Sequence, residues 1–298
     1  FPMHNRKHLL IILMLVAVNF AGLPWNPQEV NYYTNATSLN YAFSLTTSGN
    51  YLYVVSEVSS LTTFNITNPA TPVQTAYYTN GTSVNNPYSV TTSGNYLYVV
   101  SGTGKSLTTF NITNPAIPVQ TAYYTNAASL NGAYSVTTSG NYLYVVSVSG
   151  NSLTTFNITN PATPIQTAYY TNATSLNGAY SATTSGNYLY VVSEFSKSLT
   201  TFNITSPSTP VQTAYYTNAT SLNWPTSVTT SGNYLYVASQ TGNSLTTFNI
   251  TNPATPVQTA YYTNATSLNA PYSVTTSGNY LYVASGTGNS LTTFNITS

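Results

Sequence analysis

The chain has 298 residues, of which 2% are charged, and it contains no cysteine. Beyond residue 23 its charged side chains are three glutamates and two lysines, with no Asp, Arg or His. This composition argues against a transition-metal site, a calcium site, a Ser-His-Asp triad and a nucleic-acid interface, because beyond residue 23 the chain has no His, Cys or Asp, no cluster of carboxylates and only two Lys. We therefore expect no metal, no cofactor and no nucleic-acid partner.

Residues 1–23 differ in composition from everything that follows. A basic stretch that includes Arg6 and Lys7 precedes an apolar run over residues 9–18. A basic start followed by a short apolar run is typical of a secretory signal, and the run is shorter than a membrane span. The pattern predicts a signal peptide over 1–23 and a secreted or cell-surface protein. Retention of this segment as a membrane anchor is the alternative, and only then is a membrane partner expected.

The rest of the chain is an internal repeat. The phrase Thr-Thr-Ser-Gly-Asn-Tyr-Leu-Tyr-Val occurs six times, at spacings of 45 or 46 residues. In the second unit, 88–92, 96–100, 107–113 and 119–125 are rich in β-branched and aromatic residues and are separated by turns that contain Gly, Asn or Pro. Four short strands in each unit of this length indicate a β-propeller. We predict an all-β, six-bladed propeller of four-stranded antiparallel blades.

The order of the strands predicts how the ring closes. The last unit ends after its third strand, and the missing Pro-x-x-Pro and Tyr-Tyr-Thr segment is found at 24–35. Because an unpaired edge strand is a liability, we expect the segment at about 28–34 to pair with the last blade. The predicted propeller domain therefore spans 24–298.

The motifs Ser-Gly-Asn-Tyr-Leu-Tyr-Val and Leu-Thr-Thr-Phe-Asn-Ile-Thr-Asn-Pro-Ala-x-Pro resemble the LVIVD repeat of secreted and surface proteins. The resemblance extends over all six units, 24–298. It implies a β-propeller at the cell surface and carries no catalytic residues. The chain has Asn where the family phrase has Asp, and the six positions are Asn65, Asn111, Asn157, Asn203, Asn249 and Asn295.

Asn-x-Ser/Thr sequons occur in two places of the repeat. Those in Phe-Asn-Ile-Thr are expected to use the Asn amide to cap the backbone of the following proline turn. Those after the fourth strand lie in a predicted loop, where a glycan would offset the uncharged surface, although Asn/Thr-rich sequence also produces sequons by chance. The glycosylation candidates are Asn35, Asn80, Asn172, Asn218 and Asn264.

Two connections vary among the copies, namely those from the second strand to the third and from the fourth strand to the next unit. In a propeller both emerge on one face. Loops on a rigid scaffold often carry function, and neutral drift is the alternative explanation. The candidate partner-binding residues on this face are Trp224, Tyr41, Phe43, Phe195, Glu57, Glu194, Lys105 and Lys197.

The sequence shows no pair of carboxylates placed for glycoside hydrolysis, because Glu57 and Glu194 occupy the same turn in opposite blades. We therefore predict that the protein is not an enzyme. The favoured interpretation is a secreted or cell-surface interaction, adhesion or coat module with a protein or glycan partner. A carbohydrate-binding propeller that uses loop aromatics is the alternative, and an enzyme is the least favoured one. The uncharged surface also makes self-association an expectation.

Overall fold

The computed structural model describes residues 33–297, which contain 23 β-strands. Blade 1 has β1 (Ala42–Ser48), β2 (Tyr51–Ser56), β3 (Ser60–Asn65) and β4 (Val73–Thr79). Blade 2 has β5 (Pro87–Ser93), β6 (Tyr96–Ser101), β7 (Ser106–Asn111) and β8 (Val119–Thr125). Blade 3 has β9 (Ala133–Ser139), β10 (Tyr142–Ser147), β11 (Ser152–Asn157) and β12 (Ile165–Thr171).

Blade 4 has β13 (Ala179–Ser185), β14 (Tyr188–Ser193), β15 (Ser198–Asn203) and β16 (Val211–Thr217). Blade 5 has β17 (Pro225–Ser231), β18 (Tyr234–Ser239), β19 (Ser244–Asn249) and β20 (Val257–Thr263). Blade 6 has β21 (Pro271–Ser277), β22 (Tyr280–Ser285) and β23 (Ser290–Asn295). The described residues contain no helix, so none of their segments is a helix that could cross a membrane.

Each blade is an antiparallel sheet whose strands pair in chain order. The first strands of consecutive blades lie side by side, which places them innermost. The predicted all-β, six-bladed propeller is therefore confirmed, with three strands described in the last blade. The predicted signal peptide at 1–23 lies outside the described residues. So does nearly all of the predicted closing strand at 28–34, whose residues 33 and 34 are described and are not in a strand.

A glycine turn joins the two inner strands of every blade. Gly49, between β1 and β2, has a φ of +53°, and its five counterparts have nearly the same value. Only glycine adopts this left-handed conformation without a steric cost, and it suits the right-handed twist of a tight hairpin. The invariance of Ser-Gly-Asn in the sequence follows from this geometry.

The hydrophobic core lies between neighbouring blades. Tyr53 and Leu61 of blade 1 pack against Leu97 and Phe110 of blade 2, and all four side chains are buried. The same arrangement recurs at the next three interfaces. Burying one such side chain stabilises the fold by about 1.5–3 kcal/mol, so the stacked blades provide most of the cohesion.

A hydrogen-bonded cluster ties the outer strands of neighbouring blades together. Gln120 in β8 accepts from the Tyr78 hydroxyl at 2.6 Å and from the Ser83 hydroxyl at 2.8 Å. Tyr78 also packs its ring edge-on against Phe110, with centroids 5.0 Å apart. The pairs Tyr33–Gln74, Tyr124–Gln166, Tyr170–Gln212 and Tyr216–Gln258 repeat the tyrosine contact.

Candidate functional site

The two variable connections do lie on one face, because their backbones are hydrogen-bonded to each other. The Glu57 N–H donates to the carbonyl of Tyr41 at 3.0 Å, and the Glu194 N–H donates to the carbonyl of Gly178 at 2.9 Å. Tyr41 and Gly178 each immediately precede the innermost strand of their blade. Both glutamates are therefore held close to the central channel, and this end of the channel is called the channel mouth below.

A β-bulge places one further residue of each blade at the channel mouth. In blade 3, Ala133 pairs with Ser147 and Ser135 pairs with Val146, so Tyr134 between them has no partner across the ladder. Bulges commonly redirect a side chain next to a functional site. The bulge residues of blades 1 to 6 are Phe43, Tyr88, Tyr134, Tyr180, Thr226 and Tyr272.

Ring contacts show that the bulge residues of blades 1 to 3 point into the channel. Phe43 of blade 1 contacts Tyr134 of blade 3 with centroids 5.5 Å apart, although a whole blade separates them. Tyr88 lies between them, 4.9 Å from Phe43 and stacked on Tyr134 at 4.7 Å. Side chains of non-adjacent blades can meet only across the axis. The aromatic cluster thus forms the floor of the channel mouth.

Tyr134 and Tyr180 form the most polar part of this floor. Their rings are 4.1 Å apart and their hydroxyl oxygens are 2.5 Å apart, so one phenol donates a hydrogen bond to the other. Burial, followed by the neighbouring Tyr180 and the more distant Tyr88 and Glu194, raises the pKa of Tyr134 well above its usual value. The Tyr134 phenol therefore stays neutral at physiological pH.

Glu57 lies next to Tyr88 on one side of the cluster. Burial raises the pKa of Glu57 above its ordinary value. Burial also raises the pKa of Tyr88, the Glu57 carboxylate raises it further, and a hydrogen bond from the Asn86 side chain lowers it. A carboxylate with a raised pKa is a stronger base than an exposed one.

Glu194 lies on the opposite side of the cluster, where it acts on Tyr134. It is 6% exposed, which is unusual for a carboxylate in a hairpin turn. Glu194 is therefore not a solvated charge of an exposed hairpin turn. The Glu57 carboxylate acts on Tyr88 and the Glu194 carboxylate on Tyr134, and these two tyrosines are stacked on each other.

In blades 2 and 6, a glycine at the turn position of Glu57 and Glu194 makes room for a tyrosine ring. Gly102 occupies the position of Glu57 in blade 2, and a Cβ there would come within 2.6 Å of the Tyr88 ring. In blade 6, a Cβ at Gly286 would likewise come within 2.9 Å of the Tyr272 ring. In blade 5 the position holds Gln240, whose amide donates to the Tyr272 hydroxyl at 2.6 Å.

The two lysines lie further from the axis. The carbonyl of Lys105 accepts from the N–H of Asn126, and that of Lys197 accepts from the N–H of Asn218. Those asparagines directly follow the outermost strands β8 and β16. Both lysines adopt a positive φ, at 47° and 50°. Their backbone positions are therefore at the outer end of the turn, whereas the glutamates are at its inner end.

Two of the predicted aromatic candidates, Phe195 and Trp224, form the rim between blades 4 and 5. Phe195 is 51% exposed and meets Trp224 edge-on, with centroids 5.6 Å apart. Trp224 has a φ of 64° at a position where blades 3 and 4 use glycine, which is a strained conformation for an aromatic residue. Tyr41 occupies the equivalent position in blade 1 and is 48% exposed.

Both classes of sequon asparagine have a structural role. The side-chain oxygen of Asn65 accepts the Thr67 N–H at 2.8 Å, which confirms the predicted cap of the proline turn. In the loop after β4, the Asn80 oxygen accepts two backbone N–H groups, from Thr82 and Ser83. Glycosylation of the loop asparagines stays a prediction.

No group of three or more His, Cys, Asp or Glu side chains lies together within residues 33–297.

The tyrosines of the channel floor were not among the residues predicted to form a site, although an aromatic residue recurs at this position in five of the six copies. The recurrence can be seen in the sequence, but the β-bulge that turns these residues inward cannot be recognised from it.

Two family models match this chain. Residues 40–80, 87–126 and 132–172 match the LVIVD repeat. Residues 177–298 match the lactonase family described as a seven-bladed β-propeller. The first match covers units of blades 1 to 3, and the second covers blades 4 to 6. No curated protein matches this chain.

Solved structures share the fold at low sequence identity. A candidate 6-phosphogluconolactonase from Bacteroides fragilis is 17% identical with a TM-score of 0.73, over 85% of this chain and 79% of its own. The periplasmic gluconolactonase of Pseudomonas aeruginosa is 19% identical with a TM-score of 0.73, over 86% and 81%. Virginiamycin B lyase from Staphylococcus aureus is 15% identical with a TM-score of 0.66, over 88% and 86%.

These comparisons correct the functional prediction. The match of residues 177–298 to the lactonase family points to an enzyme, so the predictions of a non-catalytic adhesion, interaction or coat module and of a lectin-like propeller are wrong. The prediction that the chain is not an enzyme is overturned by the same findings. The resemblance to LVIVD-repeat proteins is confirmed at three units. The chain is a β-propeller that contains LVIVD repeats.

Proposed function

We propose that this protein hydrolyses a lactone at the channel mouth. The observation that carries the proposal is the buried Glu194 carboxylate beside the hydrogen-bonded pair Tyr134 and Tyr180. The match of residues 177–298 to the lactonase family supports the reaction class, and Glu194 lies within that match. The site combines a base with neutral hydroxyl donors, which is what ester hydrolysis requires.

In this mechanism Glu194 removes a proton from a water molecule that attacks the lactone carbonyl carbon. The carbonyl oxygen becomes negatively charged in the tetrahedral intermediate, and the phenol O–H of the Tyr134–Tyr180 pair donates a hydrogen bond to it. When the ring C–O bond breaks, the leaving ring oxygen takes the proton that Glu194 holds. The net result is one lactone and one water converted into one hydroxy acid.

Glu57 has a supporting role in this proposal. Its carboxylate acts electrostatically on Tyr88, which stacks on Tyr134, whereas Glu194 acts on Tyr134 itself. A second desolvated carboxylate there keeps the tyrosines protonated. Phe195 and Trp224, on the rim next to Glu194, supply an apolar wall for the carbon skeleton of the substrate.

The test is titration of the acid that is released from δ- and γ-lactones, followed for the wild type and for Glu194→Gln. We expect the substitution to lower kcat/KM by about 100-fold or more, because a positioned general base contributes about 10²–10⁴ to the rate. Lys197→Gln is the matched control, since it removes a charge from the same turn at its outer end. We expect it to retain activity.

Circular dichroism melting of each variant separates lost chemistry from lost folding. A wild-type protein that hydrolyses no lactone faster than the spontaneous reaction contradicts the proposal. So does a folded Glu194→Gln variant with full activity.

We also propose that the protein is exported and that its loop asparagines carry glycan. The basic and apolar pattern of residues 1–23 and the exposed sequon loops support this. The mass of the protein isolated from its natural host checks both points. A mass that includes residues 1–23 and no glycan contradicts them.

A further inference from the structure

Two aromatic rings at the channel mouth meet at nearly a right angle. The rings of Phe195 and Trp224 have centroids 5.6 Å apart and an interplanar angle of 85°. Phe195 is 51% exposed, and it directly follows Glu194, the base of the proposed reaction. This pair of rings is called the aromatic corner below. It begins one residue away from the group that activates water in the mechanism.

The backbone of blade 4 holds the Phe195 ring in place. A Cβ added to Gly178 would come within 2.7 Å of that ring, so the ring lies against the bare Cα of the glycine. Trp224 meets the same ring edge-on. The ring is therefore positioned before a ligand arrives, which lowers the cost of binding, and its exposed part is open to a second ring.

The aromatic corner occurs once among the six copies of the repeat. Trp224 has a φ of 64°, which costs free energy in a bulky residue, and blades 3 and 4 avoid that cost with glycine. Because the other copies make the same turns without this pair, the fold does not require it. Strain that is kept at one position in this way indicates a functional constraint. At the position of Phe195 the other copies have Val58, Thr103, Ser149, Thr241 and Thr287.

Polar side chains around the channel mouth bond to one another. The Asn86 amide donates to the Tyr88 hydroxyl at 2.9 Å, and the Gln240 amide donates to the Tyr272 hydroxyl at 2.6 Å. The indole N–H of Trp224 is buried without a hydrogen-bond partner among residues 33–297, so this donor is not accessible to a ligand. A lactone with several hydroxyl groups would find few partners here, whereas an aromatic substituent would find the aromatic corner.

We propose that the aromatic corner binds an aromatic substituent of the substrate, so that the preferred lactones carry a phenyl or similar flat ring rather than several hydroxyl groups. This inference rests on the proposed lactone hydrolysis and adds its substrate class. A ligand ring that stacks on the exposed part of Phe195 also meets Trp224 edge-on. Offset stacking and edge-on contact are the two arrangements that aromatic rings prefer.

The test uses lactams, because they have the shape of lactones and an amide resists hydrolysis. The probes are 2-pyrrolidinone, 5-phenyl-2-pyrrolidinone, 5-cyclohexyl-2-pyrrolidinone as a control for apolar size, and D-glucono-δ-lactam as the polyhydroxylated probe. Ligand-detected NMR titration gives the four Kd values. We expect the phenyl lactam to bind about tenfold more tightly than 2-pyrrolidinone, and more tightly than the other two probes.

Variants that use the residues of other copies test the cause. Phe195→Thr and Trp224→Gly are each expected to reduce the preference for the phenyl lactam about fivefold and to leave the Kd of 2-pyrrolidinone unchanged. Because glycine adopts a positive φ without strain, Trp224→Gly should keep the urea midpoint close to that of the wild type. Tyr41→Asn is the matched control, since it removes an aromatic ring from the position of Trp224 in blade 1, and it should leave the preference unchanged.

The outcomes distinguish this inference from the proposed function. If lactones are hydrolysed but the phenyl lactam binds no more tightly than 2-pyrrolidinone, the aromatic preference is wrong and the reaction stands. If no lactone is hydrolysed but the preference is present and is lost in Phe195→Thr, the aromatic corner stands as a binding site and the reaction is wrong. A preference that persists in both variants, a preference for D-glucono-δ-lactam, or binding of none of the four lactams overturns the inference.

Discussion

At the blade interfaces that the structure describes, the copies of the repeat contribute nearly the same side chains, whereas at the channel mouth the copies differ. Gln120, Gln166 and Gln212 each accept a tyrosine hydroxyl from the preceding blade in the same way. In the turn at the channel mouth the six copies instead have two Glu, two Gly, one Val and one Gln. Identical interfaces suit a ring that must close evenly, and unlike residues suit a site.

In a repeat protein, positions that differ between the copies are therefore the better candidates for a functional site. A site needs distinct groups at distinct places, so a strictly repeated residue contributes mainly to the scaffold. The bulge tyrosines are intermediate, because they recur in most blades and yet meet different neighbours. Tyr134 faces Tyr180 and Glu194, whereas Tyr272 accepts a hydrogen bond from Gln240.

The largest expected effect is at the channel mouth. Tyr134→Phe removes a hydroxyl donor from the pair, and we expect kcat for lactone hydrolysis to fall by about 100-fold, as for other single donors to an oxyanion. Tyr272→Phe, at the same position of blade 6, is expected to change kcat far less. Steady-state kinetics of both variants measures this, and equal losses would show that the two positions have the same role.

A smaller effect, on stability alone, is expected at the blade interfaces. Gln166→Leu leaves the hydroxyls of Tyr124 and Ser129 without their acceptor. We expect the free energy of unfolding to fall by about 2 kcal/mol. Gln240→Leu changes a glutamine at the partly exposed channel mouth and should cost about 0.5 kcal/mol or less. Urea denaturation compares the two, and a larger loss for Gln240→Leu would contradict the division between scaffold and site.

Two buried tyrosines in the same repeat position give a finer comparison. The Tyr98 hydroxyl donates to the carbonyl of Pro161 at 3.2 Å. Within the described part of the chain, the Tyr144 hydroxyl is buried without a hydrogen-bond partner. We expect Tyr98→Phe to cost about 1 kcal/mol of unfolding free energy and Tyr144→Phe to be neutral or slightly stabilising. Thermal or urea unfolding measures both, and equal costs would contradict the assigned contacts.

The smallest effect per residue is a dependence of stability on alkaline pH. Burial, with a smaller contribution from a neighbouring tyrosine, raises the pKa of Tyr53, Tyr144 and Tyr190 to about 12. An unfolded tyrosine ionises near pH 10, so the folded chain binds more protons between about pH 10 and 12. Stability is therefore fully present below pH 10 and is lost as pH rises through this window. Melting temperatures that stay constant to about pH 12 would contradict this.

Much of the fold could be predicted from the sequence, because the repeat length, the Ser-Gly-Asn turn and the strand composition act locally. The caps at Asn65 and its counterparts were also predictable, since they bond only two residues along the chain. The site was not. Glu57 and Glu194 are far apart in sequence, and their common position depends on ring geometry and on a bulge that composition does not reveal.

The burial of Glu194 could not be read from its turn. Its neighbours in sequence are Ser193 and Phe195, a context that usually indicates a solvated hairpin. It is nevertheless buried in the folded ring, where its charge acts on Tyr134 of the neighbouring blade. Side chains that meet across the axis come from segments without any sequence proximity, and they decide the chemistry of the channel mouth.

The most direct test of the account replaces both carboxylates with the residue that the chain itself uses at that position in blades 2 and 6. The variant Glu57→Gly plus Glu194→Gly should melt at nearly the temperature of the wild type, because the blade interfaces are unchanged. Its rate of lactone hydrolysis should equal the spontaneous rate. A folded double variant that still hydrolyses lactones at the wild-type rate would contradict the claim that unlike residues at the channel mouth form the site.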